Sequence, residues 1–163
     1  MIRLATKEDI KRILEIYASA KIFMRDSGNP NQWNGAYPDY DTLYGDIEKG
    51  NLYVMVSDET DWLFGVFALI GGEDATYSYI EGGSWRSSTP YGTLHRVAGD
   101  GTERGIFRKA AEFALTKFDH VRVDTHHDNK PMQKAIANFG FSYRGVIYLA
   151  NGDPRVAYDY LRE

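Results

Sequence analysis

The sequence predicts an α/β fold in which one sheet of about six to seven strands is flanked by about four helices. Three observations carry that expectation. β-prone and amphipathic runs follow one another in the order β-α-α-β-β-β-α-β-α-β-β. Within that order, Gly92–Leu115 (GTLHRVAGDGTERGIFRKAAEFAL) reads as a strand, a glycine-rich turn and a helix in immediate succession. At 163 residues the chain has the length of one domain, taken as 1–163, and can bury a full core. It has no internal repeat, linker or low-complexity segment.

Ile2-Arg3-Leu4 is the first short strand. Thr6 stands as an N-cap, with Glu8 and Asp9 where the helix dipole favours carboxylates. Ile10, Ile13, Leu14, Tyr17, Ala20 and Met24 then share one face of a helix over 7–25. Ser27-Gly28-Asn29-Pro30 breaks it, and an aromatic, polar loop follows through Pro38. Asp39 or Asp41 caps a second short helix that Gly50 closes. Leu52–Val56 and Leu63–Ile70 form a hairpin across a polar turn. Residues 75–91 promise only a loop with some extended character, because Gly82-Gly83 and Pro90 interrupt their aromatic residues.

Leu94–Ala98 is the next strand. Gly99, Gly101 and Gly105 punctuate the turn after it, and from Ile106 apolar residues recur at helical spacing. His120–Asp124 is a further strand. Asp128-Asn129-Lys130-Pro131 opens a helix carrying Met132, Ile136 and Phe139, and Gly140 ends it. Phe141–Tyr148 and Val156–Leu161 are two last strands joined by a turn at Asn151–Pro154.

Composition narrows the function. Nineteen basic against 23 acidic residues, with no Lys/Arg run, argue against a nucleic-acid partner. The absence of cysteine excludes disulfides, thiolate catalysis and Cys-based metal sites. No apolar run approaches the roughly 20 residues of a membrane span, and Met1–Leu4 leads directly into a helix start, so no targeting segment and a cytoplasmic location are expected. Aromatics make up 14% of the chain, enough to serve both a core and an apolar pocket. A strand feeding a glycine-rich turn into a helix presents unpaired N–H groups and a positive dipole end, which suits a phosphate or pyrophosphate. Asp100 and Glu103 put negative charge at the same place, opposed by Arg104, Arg108 and Lys109.

The element order, the glycine turn after the fourth strand, and Asn129, Met132, Ala135, Gly140 and Phe141 together resemble the GCN5-related N-acetyltransferase (GNAT) family. The last five fit a family pattern of Asn, apolar residues three and six on, then Gly-Phe at eleven and twelve. The resemblance implies a mixed, mostly antiparallel twisted sheet and acetyl-CoA as co-substrate. It puts the cofactor against Val97, Ala98, Gly99, Arg104, Gly105 and Ile106, with Asn129 and Met132 contacting it from the following helix. Many members carry a Tyr seven residues after that Asn as a general acid, and here the position is Ile136. Tyr143 or Tyr148, or water, is left to serve. A thiolate with a pKa near 8.5 leaves without much help near neutral pH.

Leu94-His95-Arg96-Val97-Ala98 is similar to the strand of arylalkylamine-type acetyltransferases that carries His-Leu-His, with His95 at the second histidine and Thr93 at the first. An amine is protonated at neutral pH and only its free base attacks a thioester, so a base is needed and His95 suits it. Glu81 and Asp124 are the other candidate bases. Trp33, Tyr37 and Trp85 are expected around the acceptor. His126 and His127, with Asp124 and Asp128, lack helical i, i+4 ligand spacing, and no metal is expected. Two readings follow. One is acetyl-CoA-dependent N-acetylation of a small amine by direct transfer in a ternary complex. The other is a catalytically silent module of the same fold that binds acyl-CoA or a protein partner. The acceptor, the length of the acyl group and the oligomeric state, a homodimer included, stay open.

Overall fold

The computed structural model describes residues 1–162. Seven strands form one sheet in the order β1-β2-β3-β4-β5-β7-β6. They are β1 (Ile2–Leu4), β2 (Leu52–Val56), β3 (Leu63–Gly71), β4 (Gly92–Gly99), β5 (His120–Thr125), β6 (Ser142–Tyr148) and β7 (Pro154–Leu161). Four α-helices accompany them: α1 (Ile10–Asp26), α2 (Tyr40–Glu48), α3 (Ile106–Leu115) and α4 (Lys130–Phe139). β4 and β5 run parallel, whereas β1–β2, β2–β3, β5–β7 and β6–β7 are antiparallel. The mostly antiparallel sheet and the four helices are those expected from the sequence.

Contacts divide the chain into two compact units, 1–69 with 96–106, and 70–95 with 107–163. In the first unit, a 3₁₀ turn at Lys7–Asp9 precedes α1, and the Asp9 carboxylate accepts from Thr6 N at 2.8 Å. Ile13, Ile16 and Tyr17 of α1, Leu43 of α2, and Leu52, Val54, Val66 and Phe67 of the hairpin are fully or almost fully buried. Asp39, not Asp41, caps α2 by accepting from Thr42 N at 3.0 Å.

In the second unit, α4 begins at an Asn129 cap, carries Pro131 in its first turn and ends at Gly140 with φ +118°. That left-handed φ is open to glycine at little cost, so the sequence stops the helix where the backbone must turn. Residues 75–91 hold a single 3₁₀ turn (Ala75–Tyr77) and an isolated bridge from Glu81 to Val146. Tyr77, Tyr91, Ile147 and Ala157 bury together, with Ile80, Trp85 and Leu149 packed against them. β7 starts at Pro154, inside the stretch expected to be a turn, where the ring pairs opposite Tyr148. Proline lacks a donor but is tolerated as the first residue of a strand.

Candidate active site

β4 does not stay extended. Arg96 has φ +51°, a left-handed conformation that costs a non-glycine residue about 1–2 kcal/mol. Its neighbours hold it there. Its carbonyl accepts from Tyr17 Oη at 2.8 Å. Its guanidinium donates to the Asp46 carboxylate, and to Tyr37 Oη at 3.0 Å. The side chains of Arg96 and Asp46 are only 10% and 13% exposed, so the ion pair has little water to compete with it. The strain is therefore local and well supported. Tyr37, expected at an acceptor wall, is engaged with this arginine.

His95, one residue earlier, is a quarter exposed, and its Nε2 lies 3.1 Å from Asp74 Oδ2. Asp74 is itself fixed. Its Oδ1 accepts from Thr76 N at 2.9 Å and Thr76 Oγ1 at 2.6 Å, and its N–H donates to Tyr91 Oη at 2.7 Å. The His95 bond, with the Thr76 donors and against the cost of burial, holds the Asp74 carboxyl down at about 2. At neutral pH it is a carboxylate that can only accept.

The other candidate bases have other partners. Asp124 Oδ2 accepts from Tyr77 Oη at 2.5 Å, and the Glu81 carboxylate accepts from Tyr148 Oη at 2.7 Å. Tyr143 is half exposed on β6 and packs edge-on against Tyr158. No hydrogen bond joins Glu81, Asp124 or Tyr143 to His95 among the described residues. Ile136 is fully buried, so the position that carries a Tyr in many relatives is a core position here. Trp85 donates from Nε1 to the Tyr77 carbonyl at 2.9 Å and lies under the Arg122 guanidinium at 4.1 Å. Its ring is taken up by packing within the second unit.

Trp33 stands edge-on to Tyr17, with ring centroids 5.4 Å apart. With Met24, Pro30, Lys21 and Arg25 it lines a cavity of about 300 Å³ within the first unit. Apolar surface and two cations share that lining.

The glycine turn resolves the charge conflict seen in the sequence. Asp100 Oδ2 takes the Arg12 guanidinium at 2.6 Å and Trp62 Nε1 at 2.8 Å. Its Oδ1 takes Thr102 N at 2.9 Å and Thr102 Oγ1 at 2.6 Å. Burial pushes this carboxyl up, but those donors outweigh it and leave the pKa lowered. The carboxylate is thus compensated inside the protein. Gly101 (φ +88°) and Gly105 (φ +71°) supply the left-handed turns before α3 begins at Ile106. At Gly99 an added Cβ would lie 2.7 Å from Ile106 Cγ1, so only glycine lets the strand end pass the helix start. Val97 and Ala98 are buried, and Arg104 is exposed. In the second unit, Asn129 Oδ1 accepts from Met132 N at 3.1 Å, an ordinary helix cap.

Among the described residues, one group could hold a cation. Ligand atoms of His126, His127 and Asp128 lie within 4.8 Å of one another. His126 Nδ1, however, accepts from Asp128 N at 3.0 Å, so that lone pair is already used. Nothing in the sequence marks Asp46, Tyr17 or Asp74 as parts of the site. Asp74 stands 21 residues before His95 in a polar turn, and no local spacing links the two.

No family model matches the sequence, and no curated relative matches it. Solved structures do. A GNAT-family acetyltransferase from Streptococcus agalactiae is 29% identical, with a TM-score of 0.86 over 100% of this chain and 95% of that one. GNAT-family acetyltransferases from Listeria monocytogenes (17% identical, TM-score 0.71, covering 99% and 94%) and Bacillus cereus (16%, 0.64, 100% and 97%) share the fold. The sheet order and the full-length matches show that the chain has the fold of the GCN5-related N-acetyltransferases.

Proposed function

We propose that the protein is an acetyl-CoA-dependent N-acetyltransferase acting on a small amine by direct transfer in a ternary complex. The observation that carries this reading is His95: a partly exposed imidazole on β4, bonded to an ionised carboxylate, one residue before the left-handed Arg96. His95 takes a proton from the incoming ammonium or amine, whose nitrogen then attacks the thioester carbonyl. A main-chain N–H of β4 near Arg96 polarises that carbonyl. The backbone from Gly99 to Ile106 holds the pyrophosphate, since conformationally free glycines precede the helix and Asp100 is already compensated. Asn129 and Met132 take the pantetheine arm in the family's manner. The Trp33 cavity, with Lys21 and Arg25 at its wall, is the acceptor's place and favours an amine that also carries an anionic group.

A second reading, a silent module that binds acyl-CoA or a protein, is favoured by the burial of Ile136, which leaves α4 no hydroxyl at the usual acid position. The low basicity of a thiolate makes that loss small. The first test of the site is thermal. At about 100 times its dissociation constant, acetyl-CoA should add about 2.7 kcal/mol. For a chain of this size that raises Tm by roughly 5–10 °C, and ATP should not reproduce it. An equal shift from both nucleotides would point to a generic phosphate site, and no shift from acetyl-CoA would end the acyltransferase reading.

A further inference from the structure

We propose that Asp74 is the positioning residue of His95: it holds the neutral imidazole with its proton on Nε2, which makes Nδ1 the proton-accepting atom. The proposal rests on the reading of His95 as the base. It starts from the donor and acceptor inventory around one carboxylate. Asp74 Oδ1 is filled by Thr76 N and Thr76 Oγ1, at 2.9 and 2.6 Å. Oδ2 faces His95 Nε2 at 3.1 Å. The Asp74 amide donates to Tyr91 Oη at 2.7 Å, which anchors the main chain under the carboxylate. An ionised carboxylate has no proton to give.

Nε2 must therefore be the donor. The opposite tautomer would set a nitrogen lone pair against a carboxylate oxygen at 3.1 Å, and a doubly protonated ring cannot act as a base. Only the Nε2–H form satisfies the contact and keeps a lone pair, and that lone pair is on Nδ1. The surroundings support the arrangement. The side chains of Asp74 and His95 are 24% and 25% exposed, so water competes weakly for either. The Tyr77 ring lies 6.4 Å from the imidazole, and its own Oη is committed to Asp124.

In the transfer, the amine N–H proton goes to Nδ1 and the nitrogen lone pair forms the bond to the acetyl carbonyl carbon. The C–S bond breaks, and its electrons leave on sulfur as the CoA thiolate. Asp74 touches no reacting atom. It faces the imidazolium that forms, as a buried carboxylate does beside a catalytic histidine.

The experiment uses the whole protein labelled with ¹⁵N-histidine, at a pH where the imidazole is neutral. Wild type should show His95 as the Nε2–H tautomer. In Asp74→Asn the amide oxygen stays with the Thr76 donors and the NH₂ faces Nε2, so the proton should move to Nδ1. Turnover should then fall roughly 10²–10⁴-fold, with KM for acetyl-CoA unchanged. Because the wild-type spectrum needs no variant, a misfolded Asp74→Asn cannot leave the proposal undecided. A wild-type Nδ1–H tautomer, or a loss of turnover in Asp74→Asn with the tautomer unmoved, overturns it. Full turnover in His95→Ala would overturn the base reading itself, and would do so whatever the tautomer spectra show.

Discussion

The left-handed conformation of Arg96 leans on a hydroxyl, and Tyr17→Phe removes that hydroxyl alone. Tyr17 is 1% exposed and donates to the Arg96 carbonyl at 2.8 Å. A net hydrogen bond is worth about 1 kcal/mol on average, but removing one partner and leaving a buried carbonyl unpaired costs about 1–3 kcal/mol. The phenyl ring survives, so the edge contact with Trp33 and the packing on α1 should stay. The expected loss is about 1–3 kcal/mol, or roughly 2–12 °C in Tm for a chain of this length. Scanning calorimetry and urea unfolding should agree on it, with an unchanged m-value. Turnover should fall further than stability accounts for, because the carbonyl that Tyr17 holds belongs to the residue joining His95 to the proposed polarising N–H. A loss under about 0.5 kcal/mol would mean that Asp46 and Tyr37 hold Arg96 in place without Tyr17, and the reasoning would fail.

Gly105→Val puts a β-branched residue at φ +71°, at a cost of about 1–3 kcal/mol, and closes the backbone where a pyrophosphate must approach. A folded Gly105→Val protein should lose at least about tenfold in acetyl-CoA affinity by calorimetry, a change of about 1.4 kcal/mol; unchanged affinity would remove the turn from the site. The Asp74 carboxyl, held at about 2, is depressed below its unfolded value. Its stabilisation is therefore fully present above about pH 4 and lost as pH falls toward 2, amounting to about 1–2 kcal/mol after allowance for its partial exposure. Acid titration of Tm should show that loss in wild type and a shallower limb in Asp74→Asn.

What could be read from the sequence was local. The Asp39 cap, the Asn129 cap with Pro131 behind it, and Gly140 at φ +118° are signals that act within one turn of chain, and the helices begin and end where they point. The hairpin of β2 and β3 follows from two β-prone runs around a polar turn. Residues 75–91 were not readable because long-range partners hold them: Glu81 bridges to Val146, and Trp85 reaches back to the Tyr77 carbonyl. The site divides in the same way. His95 and the glycine turn stand out by residue type. The left-handed Arg96 does not, since nothing about an arginine suggests positive φ. Asp46 lies 50 residues from it in the chain. The acidic turn reads as hostile to a phosphate from its own residues alone, but Arg12, 88 residues away, neutralises Asp100. Ile136 shows the converse: an apparent gap in the chemistry is a core residue.

The central claim is acyl transfer, and CoA release measures it most directly. Purified protein, acetyl-CoA and a broad panel of amines, including amines that carry a carboxylate or phosphate, should release thiol stoichiometric with acetylated amine. His95→Ala should lower that rate roughly 10²–10⁴-fold near neutral pH, and the deficit should shrink as rising pH supplies more free amine. Binding of acetyl-CoA without thiol release for any amine, or equal release from wild type and His95→Ala, would contradict the account.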